Sequence, residues 1–355
     1  MNTSGLHQEA WPYILTLLPP DFEEAARETG ALVRCRNVPN AAALLRLALA
    51  YAVSDLSLKD VAAWAHTMEV ADITGPGLFY RMRVAERWLA QMLASTLSSD
   101  VTPTPSGMAG RLRVVDATVL TGPGSTGTDW RVHADVDLMK GTLRSVEVTD
   151  AQGGEGFARF ALEPGDIVLG DRGYAHARGI AAVHAAQARV LVRIAPRAIR
   201  LCGQDRRVLR LSDLLQAIPP TASKEWPIWV PVPPDDAPKY PGWNLKKAKD
   251  WIAARLIAAR TRPGEVIWLL TTVPASDLPA LQVLRLYRLR WQVELQFKRL
   301  KSLLHLDDLA SRNGPTARSW ILARLLAAAL AQRLASPAGP LSPWGYELRE
   351  AGLHA

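Results

Sequence analysis

The sequence predicts a mixed α/β protein: a sheet covered by helices, interrupted by a strand-rich insertion and preceded by a helical region. Three observations predict it. Residues 1–100 fall into Ala- and Leu-rich helical segments. From about residue 111, short apolar runs of strand length alternate with helical stretches. Between them, residues 196–263 have a different texture. Eight of the 25 prolines lie from Pro219 to Pro241, with Trp226, Trp229, Trp243 and Trp251 in the same region. Such proline density excludes long helices and central strands, so this region reads as an inserted strand-and-loop subdomain.

Taken from the N-terminus, Ala41 to Ala50 is a helix rich in Ala and Leu. A second starts near Ser57, with Asp60 three positions on as in a capping box, and runs through Val61 to Met68. Gly75-Pro76-Gly77 breaks the pattern, and Leu78 to Leu93 restarts it with Arg81, Arg83 and Arg87. A short helix, a turn and a basic helix suit either a helix-turn-helix module or a plain helical bundle. Val101 to Gly110, rich in Pro, Gly, Ser and Thr, reads as a linker. Strands come next at Arg113 to Thr118, Arg131 to Met139 and Thr142 to Thr149, the last two joined as a hairpin at Lys140-Gly141. Asp166 to Leu169 is a short strand, His176 to Ala188 a helix and Arg189 to Ile194 another strand. After the insertion come a strand at Glu265 to Val273, a long helix from about Ser276 to His305 and a helical tail from Thr316 to Ala335.

Composition narrows the class. The 355 residues are 48% hydrophobic and 21% charged, which excludes a disordered or fibrous chain. Lys and Arg number 42 against 34 Asp and Glu, a net charge of +8. That charge favours polyanionic partners, nucleic acid before membrane. Cys35 and Cys202 are too few for a disulfide framework or a Cys-rich zinc site. Ala41 to Val53 and Ile321 to Ala335 are interrupted by Arg46, Arg324 and Arg333, short of the ~20 apolar residues of a membrane span. With no signal-peptide pattern either, the expectation is a soluble cytoplasmic protein. No Gly-rich dinucleotide fingerprint or phosphate loop supports a nucleotide cofactor.

Three carboxylates and one helix face carry the chemistry. Asp116 follows Val114-Val115, and Asp171 follows Val168-Leu169-Gly170, each at the end of an apolar strand. Charge there is costly unless paired, hydrated or bound to metal, although Asp is also a common strand-end turn residue. On the long helix, Tyr287, Arg290, Glu294 and Lys301 lie 3, 4 and 7 positions apart. At helical spacing they share an arc of about 60°, beside an apolar face of Leu286, Leu289, Val293, Phe297, Leu300 and Leu304. Between Leu281 and Leu306, Glu294 is the sole acid among six basic residues that include Lys298.

Together these pieces resemble the DDE transposases of the insertion-sequence-four family. The Tyr-x₂-Arg-x₃-Glu-x₆-Lys signature is Tyr287, Arg290, Glu294 and Lys301. The contexts Asp171-Arg172-Gly173-Tyr174, Asp129-Trp130-Arg131-Val132-His133 and Pro164-Gly165-Asp166-Ile167-Val168 match as well. The likeness covers about residues 110–310.

The resemblance implies a ribonuclease-H-like catalytic core at 106–195 and 264–310 and a β-rich insertion at 196–263. It implies a helical DNA-binding domain at 1–105, leaving 311–355 as a C-terminal helical tail. It implies Asp116, Asp171 and Glu294 as the catalytic and metal-holding set. Two Mg²⁺ ions, with Mn²⁺ as a substitute, would activate the attacking and leaving oxygens of a phosphodiester. Arg290, Lys301 and Lys298 would grip phosphates, Tyr287 would hydrogen-bond one, and Arg81, Arg83 and Arg87 would meet the element ends.

The partners would be double-stranded DNA, both element ends and target, and a second copy of the chain as a homodimer on DNA. Excision through a hairpin would call on an aromatic residue to stack a flipped base. Trp268 is the candidate, and a plain core residue of its strand is the equal alternative. His133 and His176 read as lone surface histidines. A second reading is a transposase-derived DNA-binding protein or repressor with an unused site.

Overall fold

The computed structural model describes residues 11–98, 111–138, 142–219, 222–237, 243–262, 265–290, 309 and 311–335. The N-terminal region is helical: α1 (Phe22–Glu28), α2 (Ala41–Val53), α3 (Leu58–Thr67), α4 (Gly75–Val84) and α5 (Glu86–Ser98). Side chains set their starts. Asn40 Oδ1 accepts from Ala43 N at 2.8 Å, and Ser57 and Asp60 form the expected capping box.

The Gly75-Pro76-Gly77 run departs from its reading as a break. It is the first turn of α4, capped by Thr74, where a proline's missing N–H costs nothing. A Cβ at Gly75 would sit 3.2 Å from Lys59 Cα, so glycine lets α4 start close against α3. The stretch expected as one helix is also two, parted at the buried Ala85. Arg81 and Arg83 therefore lie on α4 and Arg87 on α5.

The sheet holds β1 (Leu112–Leu120), β2 (Trp130–Asp137), β3 (Thr142–Asp150), β4 (Ile167–Gly170), β5 (Arg189–Arg193), β6 (Leu201–Cys202), β7 (Val208–Leu209), β8 (Lys224–Val232), β9 (Asp250–Arg262) and β10 (Glu265–Thr271). Their order is β3-β2-β1-β4-β5-β10-β9-β8-β6-β7. β1, β4 and β5 are parallel neighbours, and the remaining pairings are antiparallel.

The strands of the proline-rich region continue the same sheet. The 13-residue β9 is a central strand there, contrary to the proline argument, because the prolines stop at Pro241 and resume only at Pro263. Pro227 and Pro231 sit in β8. That strand pairs with β9 throughout but meets β6 only at Trp229, so most of it is edge-like and tolerates proline.

Helices cover both faces. One face buries Val115, Val168, Val190, Val192, Trp268 and Leu270 with α6 (Ala177–Ala185). The other buries Val114, Leu169, Leu191 and Leu269 with α7 (Ala280–Arg288). α7 starts four residues later than the spacing suggests, with Pro279 at its N-cap. The expected continuation of this long helix beyond Arg290 lies outside the described residues.

The last described helix, α8 (Gly314–Ala335), shares one core with α1–α5. Trp320, Ile321 and Leu326 are buried there, Ser319 Oγ donates to Met82 O at 2.6 Å, and Arg324 donates to Ala52 O. No helix among the described residues is long and apolar enough to cross a membrane.

Candidate active site

Asp116 and Asp171 come together through strand register. In the parallel β1–β4 pair, Val114 stands opposite Leu169. Asp116 and Asp171 each follow that last pair by two residues, Asp116 within β1 on the α7 face by the period of two and Asp171 just past the end of β4. β1 does not end at Asp116 as its sequence suggests. It runs on to Leu120, held by β2 alone once β4 has turned away. The carboxylate therefore stands past the carboxyl end of β4, the end of the sheet at which open α/β sheets place their ligands.

Asp171 also caps the 3-10 turn Arg172–Tyr174, accepting from Gly173 N at 2.8 Å. Asp116 Oδ1 accepts from Ala117 N at 2.9 Å. From the turn that follows α7, Arg290 Nη1 approaches Asp116 Oδ2 at 3.8 Å, and its guanidinium lies 5.8 Å from the Tyr287 ring centroid. Tyr287 is buried in the core beneath, on the sheet side of the helix. Burial and the nearby Asp171 charge push its hydroxyl up to about 12 against the pull of Arg290, so it stays a neutral donor. Arg193, one strand over, stands opposite Asp171 in the continued β4–β5 register.

Glu294, Lys298 and Lys301 lie outside the described residues. Arg83 and Arg87 are exposed on the helical region, and Arg81 Nη2 donates to Arg34 O at 2.8 Å. Trp268 is not brought to Asp116, Tyr287 and Arg290. It is buried on the opposite face, its ring centroid 6.1 Å from that of Trp226.

The two histidines also differ from their surface reading. His133 is fully buried on β2, its Nε2 3.0 Å from Thr149 Oγ1. Burial, then the Arg159 charge, lowers its pKa to about 4. His176 caps α6.

Sequence reasoning missed two residues here. Glu155 is a half-buried carboxyl whose pKa is raised by burial and by the charges of Asp171 and Asp116. Tyr174 is fully buried, its ionisation opposed by burial and by Asp116, Glu155 and Asp171. An acid set among Gly153, Gly154 and Gly156 was the visible signal for the first. The Asp-Arg-Gly-Tyr context was the signal for the second.

The donor set suits a hard cation. Two carboxylates follow the paired ends of β1 and β4, and the buried Tyr174 hydroxyl, which feels both charges, has no hydrogen-bond partner among the described residues. No group of three or more His, Cys, Asp or Glu among those residues could by itself hold a metal ion. A further ligand would have to come from elsewhere, as Glu294 would if it joined them.

The family described as Transposase DDE domain matches residues 108–330. The chain is 32% identical over 355 residues to the transposase for insertion sequence element IS421 of Escherichia coli, covering 94% of this chain and 96% of that protein. It shares 32% identity over 354 residues, with the same coverage, with InsL of insertion sequence element IS186A from Escherichia coli (strain K12). Among solved structures, a piggyBac transposase synaptic complex with hairpin DNA gives a TM-score of 0.40 at 9% identity, covering 84% of this chain and 73% of that one. A likeness that weak carries no argument.

Proposed function

We propose, from the premise that this chain belongs to the DDE transposase family, that it cuts and rejoins DNA at the ends of an insertion-sequence element by metal-assisted phosphoryl transfer. The observation that supports this is that Asp116 and Asp171 each lie two residues past the last β1–β4 pair, Val114 with Leu169, where Arg290 approaches Asp116 at 3.8 Å. Asp116, Asp171 and Glu294 would hold Mg²⁺, or Mn²⁺ in its place. When bound, such ions make a water or 3′-hydroxyl nucleophilic and stabilise the leaving oxygen.

The chain's own groups supply the rest. Arg290 and Lys301, with Lys298 on the same helix by sequence, would grip phosphates beside the scissile bond. Tyr287, kept neutral, would donate to one of them. The core reads as ribonuclease-H-like, a reading supported by the strand order β3-β2-β1-β4-β5 with β2 antiparallel between its neighbours. Within the proposal, residues 1–105 bind element ends through Arg81, Arg83 and Arg87, joined in one core by α8 of the 311–355 tail. Residues 106–195 and 264–310 form the catalytic core, and 196–263 widen its sheet. Two copies would hold two ends. The buried place of Trp268 does not support base flipping, and a hairpin step then needs another stacking residue.

The test is incubation of the full chain with element-end DNA and Mg²⁺, with mapping of the cleaved strands. Glu294→Gln, Asp116→Asn and Asp171→Asn should each bind the ends as wild type does. Each should cut at least about a thousandfold more slowly, since a metal supplies several kcal/mol of transition-state stabilisation. Near wild-type cleavage by Glu294→Gln would remove Glu294 from the set.

A further inference from the structure

The turn Gly153-Gly154-Glu155 is held at three successive carbonyls by three different side chains. Arg131 Nη1 donates to Gly153 O at 2.9 Å, and Arg159 Nε donates to Gly154 O at 2.7 Å. His176 Nε2 lies 3.0 Å from Glu155 O. His176 Nδ1 accepts from Gly179 N at 3.0 Å, so the ring hydrogen sits on Nε2 and is donated to Glu155 O. The turn is thus tied to β2, to the 3-10 turn Phe157–Arg159 and to the start of α6.

A backbone fixed at three points fixes the direction of the Glu155 side chain. It is aimed at the Asp171 turn. A Cβ added at Gly173 would fall on Glu155 Oε2, and the same point is 3.2 Å from Asp171 Oδ1. Gly173 leaves room for the carboxylate, and the two acids share one small space.

Beside that space stands the fully buried Tyr174, whose hydroxyl has no hydrogen-bond partner among the described residues. It feels the charges of Asp116, Glu155 and Asp171. A buried donor with no partner among the described residues, within reach of three acids' charges, marks a place for a further oxygen. The acid cluster and the orphaned phenol are independent observations that agree.

We infer that Glu155 is a positioning residue of the cleavage centre: a fourth carboxylate that, with the Tyr174 hydroxyl, orders the waters of a cation held at Asp171. The inference rests on the proposed transposase reading. Mg²⁺ and Mn²⁺ keep several waters when only a few carboxylates hold them, and those waters need acceptors in the protein. Outer partners of this kind change metal affinity about 10- to 100-fold. Glu155 is placed to accept, and Tyr174 to donate to an oxygen between them.

The experiment titrates the full chain with Mn²⁺ and follows free Mn²⁺ by electron paramagnetic resonance, in wild type, Glu155→Gln, Glu155→Asp, Gly173→Ala and Asp116→Asn. Glu155→Gln should weaken Mn²⁺ binding about tenfold, and Glu155→Asp should recover part of the loss. Gly173→Ala keeps Glu155 but displaces its carboxylate, and should weaken binding to a similar degree. It decides the matter if circular dichroism shows Glu155→Gln unfolded. A wild-type midpoint in folded Glu155→Gln or in Gly173→Ala overturns the inference. If Asp116→Asn loses Mn²⁺ while Glu155→Gln keeps it, the inference fails and the transposase reading stands. If wild type takes up no Mn²⁺ with or without element-end DNA, both fail.

Discussion

β1 carries charge on both faces, and the two charged clusters differ in kind. On one face Arg113 is buried and fully partnered. Its Nε donates to Asp135 Oδ1 at 3.1 Å, its Nη1 to Asp166 Oδ2 at 2.6 Å and to Ala161 O at 2.7 Å, and its Nη2 also meets Asp135. Arg111 Nε donates to the other oxygen of Asp166 at 2.8 Å and a second nitrogen reaches Glu163. Every acid in that group meets a guanidinium. Three residues along the strand, on the other face, Asp116 stands within reach of the charges of Asp171 and Glu155, and Arg290 approaches it at 3.8 Å. The first cluster is closed and serves the fold. The second gathers three acids within reach of a buried hydroxyl that has no hydrogen-bond partner among the described residues, the kind of grouping found at functional sites.

The comparison can be broken at its closed end first. Arg113→Met leaves Asp135 and Asp166 buried with much of their pairing gone, and should cost about 3–5 kcal/mol in urea unfolding. A cost below about 1 kcal/mol would mean the cluster is not what holds β1, β2 and the residue 161–166 loop together.

The next effect is that of pH. His133, among Arg159, Glu147, Arg131 and Thr149, has a folded-state pKa of about 4 against an ordinary 6.5. Above 6.5 both folded and unfolded states hold it neutral. As pH falls from 6.5 to 4 only the unfolded chain gains the proton, so stability drops through that window. The loss is on the order of 3 kcal/mol. In His133→Asn that part of the acid slope should vanish, as thermal melts from pH 7 to 4 would show.

The smallest effect lies at the open end. Asp171→Asn removes one of the crowded charges, while an Asn side chain can still accept from Gly173 N and cap the turn. The metal-free protein should lose no stability and should gain up to roughly 1 kcal/mol. A clear destabilisation would make Asp171 a structural cap after all.

The sequence made the first cluster hard to see and the second easy. Val114-Val115-Asp116 and Val168-Leu169-Gly170-Asp171 advertise acids beside apolar strands, and Lys140-Gly141 between two strand-length runs marked the β2–β3 hairpin. Arg131, His133, Asp135 and Asp137 alternate with apolar residues on β2, and His133 among them reads as a surface residue. The loop from Phe157 to Asp166 folds over that face, and Arg113 supplies the pairing, so His133 and Asp135 are buried instead. Glu155 was invisible for a related reason. Its place is set by clamps from β2, a 3-10 turn and α6, and no local period encodes a meeting of distant loops.

The union of α8 with the N-terminal helices orders events in time. Arg324 reaches Ala52 across 272 positions, and Ser319 reaches Met82 across 237. During synthesis, α2, α4 and α5 emerge long before the helix that covers their apolar faces. The helical unit therefore cannot finish folding until the sheet has been made and the final helix has left the ribosome. Any nascent chain halted before residue 314 carries a first hundred residues whose core is still open to water. Completion of the whole chain becomes the licence for its N-terminal part to hold a settled shape.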